Sequence, residues 1–200
     1  MFFNTKILLA SKSSSRKTMF KNIKIKFIQK PHLCNEEKIK KNQKRKKTHP
    51  SKTSLIIAKC KAKSLSDKNK NILIVGSDTV VELDGKIINK AKNIKDAKKK
   101  IQLLSGREHN IYSSAAAYYN NKLIWRKTQK TIVKIRKLSK KDTNKYLKNF
   151  KKSILSSAGS YQIESSGPTI IENIKGDFFN VMGFPLFPFL LFLKKFNMKK

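Results

Sequence analysis

From Ile72 to Val75 the chain is apolar. It turns polar through Gly76-Ser77-Asp78-Thr79, runs apolar again from Val80 to Leu83, and meets Asp84-Gly85 before Lys86 to Ile88. An Asp-Gly pair between two such runs marks a β-hairpin, because the tight turn needs positive φ at both central residues. The first run reads as a short buried strand ending at Gly76-Ser77-Asp78-Thr79. Other elements surround this hairpin. Lys6 to Ala10 reads as a buried strand entering a Ser-rich turn at Ser11 to Ser15, with a short helix beyond Arg16. Lys24 to Gln29 alternates like a half-buried strand, and Ser54 to Leu65 has helical spacing. Asn93 caps a helix whose stripe is Ile94, Ala97, Ile101 and Leu104, and Gly106 ends it. Asn120-Asn121 separates Tyr112 to Tyr119 from Leu123 to Ile135 as a second hairpin, and Ser139 with Asp142 forms a capping box for a helix through Phe150. No internal repeat is present. Strands alternating with helices make this an α/β chain with a mixed sheet, expected as a single domain over residues 1–200.

Composition matters for partners. There are 47 Lys and Arg against 12 Asp and Glu, a net charge of +35. One reading is a polyanionic partner such as nucleic acid or an acidic membrane. The other is coding bias, since nearly all the basic residues are Lys and both Asn and Ile are abundant. The excess is scattered along the whole chain, which favours bias, so no specific nucleic acid is expected. Lys38 to Lys52, basic and without apolar periodicity, reads as a solvated, mobile loop, with a nucleic-acid arm as the alternative. Cys34 and Cys60 form no metal-type or redox-type spacing, and reduced thiols in a cytoplasm are the default. Ile7 to Ala10 is too brief for a secretion signal. Phe184 to Leu193 falls short of the roughly 20 residues that span a bilayer. It also carries Pro185 and Pro188, so a core-facing last helix is expected and an interfacial membrane helix is the alternative.

Chemistry concentrates at a few places. Ser11 to Arg16 lies where a strand hands over to a helix, and hydroxyls, helix-start amides and a guanidinium there suit a phosphate. The same Ser-rich turn also serves as an ordinary cap. Glu36, Glu37 and Asp78 stand out in a chain so poor in acids. Asp78 follows an apolar strand at the rim of a sheet, where a carboxylate holds Mg²⁺ or Mn²⁺ and orients a water, or simply caps a turn. His109, without a partner carboxylate in its neighbourhood, reads as structural.

Taken in order, these segments resemble the Maf family of nucleoside triphosphate pyrophosphatases over nearly the whole chain, from Leu8 to Leu193. Leu8-Leu9-Ala10-Ser11, Ser13 and Arg16 are similar to the family's opening L-A-S-x-S-x-x-R motif. Asn35-Glu36 stands at its acidic pair, and Ala58 to Ala62 at its Ala-x-x-Lys-Ala helix. Gly76 to Val81 with Asp84-Gly85 and Lys90 resembles the central hairpin, followed by Leu104-Ser105-Gly106 and His109. Ala158 to Glu164 looks like the later substrate loop, and Gly176 to Leu186 like the closing signature.

The resemblance implies an elongated mixed sheet with flanking helices and a deep central cleft, as in inosine triphosphatase-like folds, often in a homodimer. It implies water attack at the α-phosphorus of a nucleoside triphosphate, giving the monophosphate and pyrophosphate with a divalent metal. On this reading Asp78 accepts the proton and holds the metal with Glu36, with Glu37 as the alternative ligand. Lys61 and Lys90 stabilise the developing charge, and Ser11, Ser13 and Arg16 grip the triphosphate. The positions similar to specificity determinants disagree. Thr79 resembles the branch that prefers dTTP and UTP, Glu164 resembles the branch that prefers 7-methyl-GTP, and Ser15 fits neither. Lys12 and Ala91 depart from the family pattern without touching a presumed catalytic group.

Overall fold

The structure is a computed structural model that describes residues 5–198, so the expected domain ends at 1 and 200 lie outside the described residues. Seven strands form one mixed sheet. They are β1 (Ile7–Ala10), β2 (Phe27–Lys30), β3 (Leu73–Leu83), β4 (Lys86–Ile88), β5 (Glu108–Tyr119), β6 (Lys122–Ile135) and β7 (Ile171–Lys175). Their order is β2-β1-β3-β5-β6-β7, with β4 paired to β3. β1 runs parallel to β2 and β3, and the remaining pairs are antiparallel. Every residue of β1 is buried, as a parallel strand covered on both faces must be. Both hairpin turns carry the positive φ they require, at Asp84 and Gly85 and at Asn120 and Asn121.

Around the sheet lie α1 (Ser14–Asn22), α2 (Glu36–Arg45), α3 (Pro50–Ser66), α4 (Ile94–Leu104), α5 (Lys140–Asn149), α6 (Lys151–Ser156), α7 (Phe178–Met182) and α8 (Leu186–Asn197). The expected caps are in place: Asn93 accepts from the Asp96 amide, and Ser139 and Asp142 form the reciprocal box. Ala97, Ile101 and Leu104 of α4 pack with Ile111, Val133 and Tyr146 in one core. Phe20, Phe184 and Phe189 pack with Leu9 and Val75 in another. Phe20 meets Phe184 edge-on at 5.1 Å and stacks on Phe189 at 5.7 Å. Met182 touches both cores. Helix α8 faces the interior through Leu186, Phe189 and Leu193, and no helix among the described residues is long and apolar enough to cross a membrane.

Three expectations are corrected. Residues 38–52 are not a loop: most of them lie in α2 and in the first turn of α3, joined by a short turn. No residue of α2 is buried, which is why apolar periodicity gave no sign of it. Its stability comes from other sources. Asn35 caps it, Glu36 and Glu37 sit at the positive end of its dipole, and Lys44 and Arg45 sit at the negative end. Second, Gly76 to Thr79 does not end a strand but lies inside the continuous β3. Ser77 and Asp78 are buried, and they and Thr79 all find partners, so the strand has no reason to stop. Third, Cys34 and Cys60 are not free thiols but are joined in a disulfide, with Cα atoms 5.8 Å apart. Folding of α2 back along α3 brings together two cysteines separated by 26 residues.

Candidate active site

Helix α3 crosses β3 at Gly76. A Cβ on Gly76 would collide with the Ala58 carbonyl oxygen and lie 2.5 Å from the Ala62 amide nitrogen, so this approach admits only glycine. The two alanines, one turn apart on α3, are fully buried against the strand. Lys61 lies between them in sequence and is therefore carried onto the sheet at the level of Asp78. Helix α3 is also tied to β5, where Ser54 Oγ meets Ser114 Oγ at 2.6 Å, and Ser114 Oγ in turn meets Thr128 Oγ1 of β6 at 2.7 Å.

Lys61 Nζ consequently stands 2.8 Å from Asp78 Oδ1 and 2.9 Å from Glu36 Oε1. The ammonium bridges two carboxylates, both largely or partly buried. Asp78 Oδ2 is buried and has no hydrogen-bond partner. A bare carboxylate oxygen inside a protein is costly unless a ligand, ion or water uses it. Burial works to raise the Glu36 pKa, but a hydrogen bond from His32 and the charge of Lys61 outweigh it and hold the carboxyl well below the usual range.

A second cluster sits beside the first. Arg16, in the first turn of α1, is buried. Its Nε donates to the Gly183 carbonyl at 2.8 Å, one Nη to Ser11 Oγ at 3.3 Å and the other to Thr79 Oγ1 at 3.1 Å. Thr79 Oγ1 also contacts Ser113 Oγ at 2.9 Å. Ser77 Oγ donates to the same Gly183 carbonyl at 3.1 Å. Burial lowers the Arg16 pKa, against the opposing pull of Asp78 and Glu36. Ser13 caps α1, accepting from the Arg16 amide, and Ser11 Oγ accepts from the Ser13 amide at 3.1 Å.

Both clusters open into one cleft of about 590 Å³, within the roughly 300–1,000 Å³ of small-molecule sites. Ser15, Lys90 and Glu164 line it as well, so Ser11, Ser13, Ser15, Arg16, Glu36, Lys61, Asp78, Thr79, Lys90 and Glu164 come to the same cavity. Glu164 is exposed at its rim, in the turn after Tyr161. Lys90 reaches in from the solvent side, where partial burial and then the charge of Arg16 lower its pKa. Glu37 does not line the cleft. Its side chain is 87% exposed and pairs with Lys40 at 3.8 Å.

Sequence reasoning passed over three contributors. The Gly183 carbonyl anchors Arg16, yet a backbone oxygen carries no side-chain signature. Lys40 lines the cleft from α2, one lysine among many. His32 Nε2 lies 3.0 Å from Glu36 Oε1, and its only sequence signal is a spacing of four residues from Glu36. His109 is structural, as expected: it is buried, bonds Tyr161 Oη through Nε2 at 2.6 Å, and has its pKa pushed down to about 4 by burial.

Residues 6–196 match the family model described as Maf-like protein. A 7-methyl-GTP pyrophosphatase of Bartonella henselae is 34% identical over 191 residues, 96% of each chain. A nucleoside triphosphate pyrophosphatase of Pelagibacter ubique is 30% identical, over 90% of this chain and 92% of the relative. Another of the same name, from Granulibacter bethesdensis, is 27% identical over 95% of this chain and 96% of its own. Among solved structures, a HAM1 protein from Coxiella burnetii aligns with a TM-score of 0.39 and 15% identity, over 66% of this chain and 73% of that one.

Proposed function

The chain belongs to the Maf-like protein family, and from that membership and its cleft we propose that it hydrolyses nucleoside triphosphates to the monophosphate and pyrophosphate. The observation that carries this reading is the triad of Glu36, Lys61 and Asp78, with the buried Arg16 opening into the same cleft. Phosphoryl-group hydrolysis asks for positioned water and concentrated positive charge rather than a nucleophilic side chain; the cleft offers Arg16, Lys61 and Lys90 as the charge and the Asp78 carboxylate as a group to orient the water.

In this reading the triphosphate lies along Ser11, Ser13 and the start of α1, where helix amides and the Arg16 guanidinium meet its oxygens. The oxygen of a water attacks the α-phosphorus, and the bond from that phosphorus to the bridging oxygen of the β-phosphate breaks. Pyrophosphate leaves with the bonding electrons, while the water proton passes to the Asp78 carboxylate and on to solvent. Lys61 orients Asp78 through its 2.8 Å contact with Oδ1, and Lys90 meets the charge that grows on the phosphate oxygens.

A divalent cation fits the donor set. Asp78 Oδ2 is an unused, buried oxygen, and Glu36 contributes a second carboxylate. Mg²⁺ or Mn²⁺ is commonly held by one or two carboxylates together with substrate phosphates, so two protein ligands suffice. When bound there, the ion supplies positive charge at the reacting phosphate.

Glu164 and Ser15 are assigned to the side of the cleft that receives the base. Thr79 acts through Arg16, since its hydroxyl is committed to Arg16 and Ser113. The cytoplasm, where nucleoside triphosphates are made and spent, and a homodimer belong to the same reading. The test is a panel of canonical and 7-methylated triphosphates, assayed with Mg²⁺ and Mn²⁺ for pyrophosphate against orthophosphate. Release of orthophosphate from the γ-position would refute the proposal.

A further inference from the structure

We propose that His32 is a positioning residue for Glu36, fixing one carboxylate oxygen so that the other is presented to a divalent cation. The inference rests on the reading of Glu36 as a metal ligand. His32 Nε2 lies 3.0 Å from Glu36 Oε1, and Lys61 Nζ approaches that same oxygen at 2.9 Å. Both contacts fall on Oε1, and Oε2 has no protein partner among the described residues. A carboxylate held by two donors on one oxygen cannot rotate without losing both.

The tautomer follows from the surroundings. His32 Nδ1 is buried without a hydrogen-bond partner. A proton there would be a buried, unsatisfied donor, and it would turn the Nε2 lone pair toward a carboxylate. The Nε2–H is therefore the donor to Glu36 Oε1.

The segment carrying His32 is also immobilised. It connects β2 to α2, and the next two residues are tied to α3. The Leu33 amide donates to Ser64 Oγ at 3.1 Å, and Cys34 is bonded to Cys60. Asn35 then caps α2, placing Glu36 in its first turn. The histidine is thus held against the helix that carries Lys61, and its side chain is only 13% exposed. Groups that hydrogen-bond a metal-ligating carboxylate orient it, and their loss costs roughly 10- to 100-fold in metal affinity or activity.

The experiment measures Mn²⁺ binding directly, from the electron paramagnetic resonance signal of free Mn²⁺ with an α,β-methylene nucleoside triphosphate present. Wild type is compared with His32→Leu, His32→Ala, His32→Gln and Glu36→Gln. The two apolar variants are expected to weaken Mn²⁺ by about 10-fold or more. His32→Gln, which keeps an N–H donor, should recover most of that loss, and thermal midpoints should not follow the same order. Wild-type Mn²⁺ affinity in a folded His32→Leu or His32→Ala protein overturns the proposal, as does an equal loss in all three His32 variants. Undiminished Mn²⁺ binding by Glu36→Gln would instead overturn the underlying metal assignment. Weak binding by Glu36→Gln with normal binding by the His32 variants overturns only the role of His32.

Discussion

Arg16 and Gly183, 167 residues apart, are joined by a 2.8 Å hydrogen bond from the guanidinium Nε to the backbone carbonyl. The bond ties the opening motif of the chain to its closing one. It also fixes the direction in which the remaining guanidinium nitrogens point, toward Ser11 and Thr79.

Gly183 itself has φ +109°, and a Cβ there would stand 3.0 Å from Thr79 Oγ1 and 3.4 Å from an Arg16 nitrogen. Gly183→Ala should therefore strain the backbone and push on Arg16 together. Backbone strain of this type costs about 1–3 kcal/mol, and we expect KM for the triphosphate to rise by about 10-fold as Arg16 is displaced. Urea denaturation and steady-state kinetics check the two halves, and unchanged KM would show that Arg16 is not held by this contact.

His109 makes stability depend on pH. Burial pushes its pKa down to about 4 from an ordinary 6.5, so the unfolded chain binds a proton that the folded one refuses. Stability is fully present above pH 6.5 and falls as the pH drops toward 4, by about 3 kcal/mol. Glu36, depressed in its turn, extends the loss below the ordinary carboxylate range. Denaturation of wild type and His109→Gln at pH 7 and pH 4.5 should show a flatter response in the variant. Parallel curves would assign the acid sensitivity elsewhere.

The Cys34–Cys60 bond closes a loop that contains α2 and Glu36. Closing a loop of 26 residues stabilises by about 3 kcal/mol in the chain-entropy account. Reductant should lower the unfolding free energy of wild type by up to that amount and leave Cys60→Ser unaffected. Equal stability with and without reductant would mean the bond contributes nothing to the fold.

Glu164 lines the rim of the cleft. An ionised carboxylate only accepts hydrogen bonds, which suits the N1–H and amino group of guanine better than the carbonyls of uracil or thymine. Glu164→Gln should shift the ratio of kcat/KM from GTP and 7-methyl-GTP toward UTP and dTTP by up to about tenfold, the scale of one hydrogen bond. Unchanged ratios would remove Glu164 from base reading.

Much of this was legible locally. Asp84-Gly85, Asn120-Asn121, Asn93 and the Ser139–Asp142 box each encode their structure within a few residues, and all are observed. What escaped was decided at a distance. Ser77, Asp78 and Thr79 looked like the end of a strand because their partners, Gly183, Lys61 and Arg16, lie far away in sequence. Helix α2 has no buried face to announce it. The disulfide depends on how α2 folds along α3, and His32 matters only because that fold brings Glu36 against Lys61.

The most direct test is the turnover of a nucleoside triphosphate by wild type and by Asp78→Asn, followed as pyrophosphate and monophosphate together. The amide is nearly isosteric, so the fold should persist, which the thermal midpoint verifies. Loss of the proton acceptor and of a metal-binding oxygen should lower kcat by about 10²-fold or more. Near-normal pyrophosphate release from a folded Asp78→Asn protein would contradict the account.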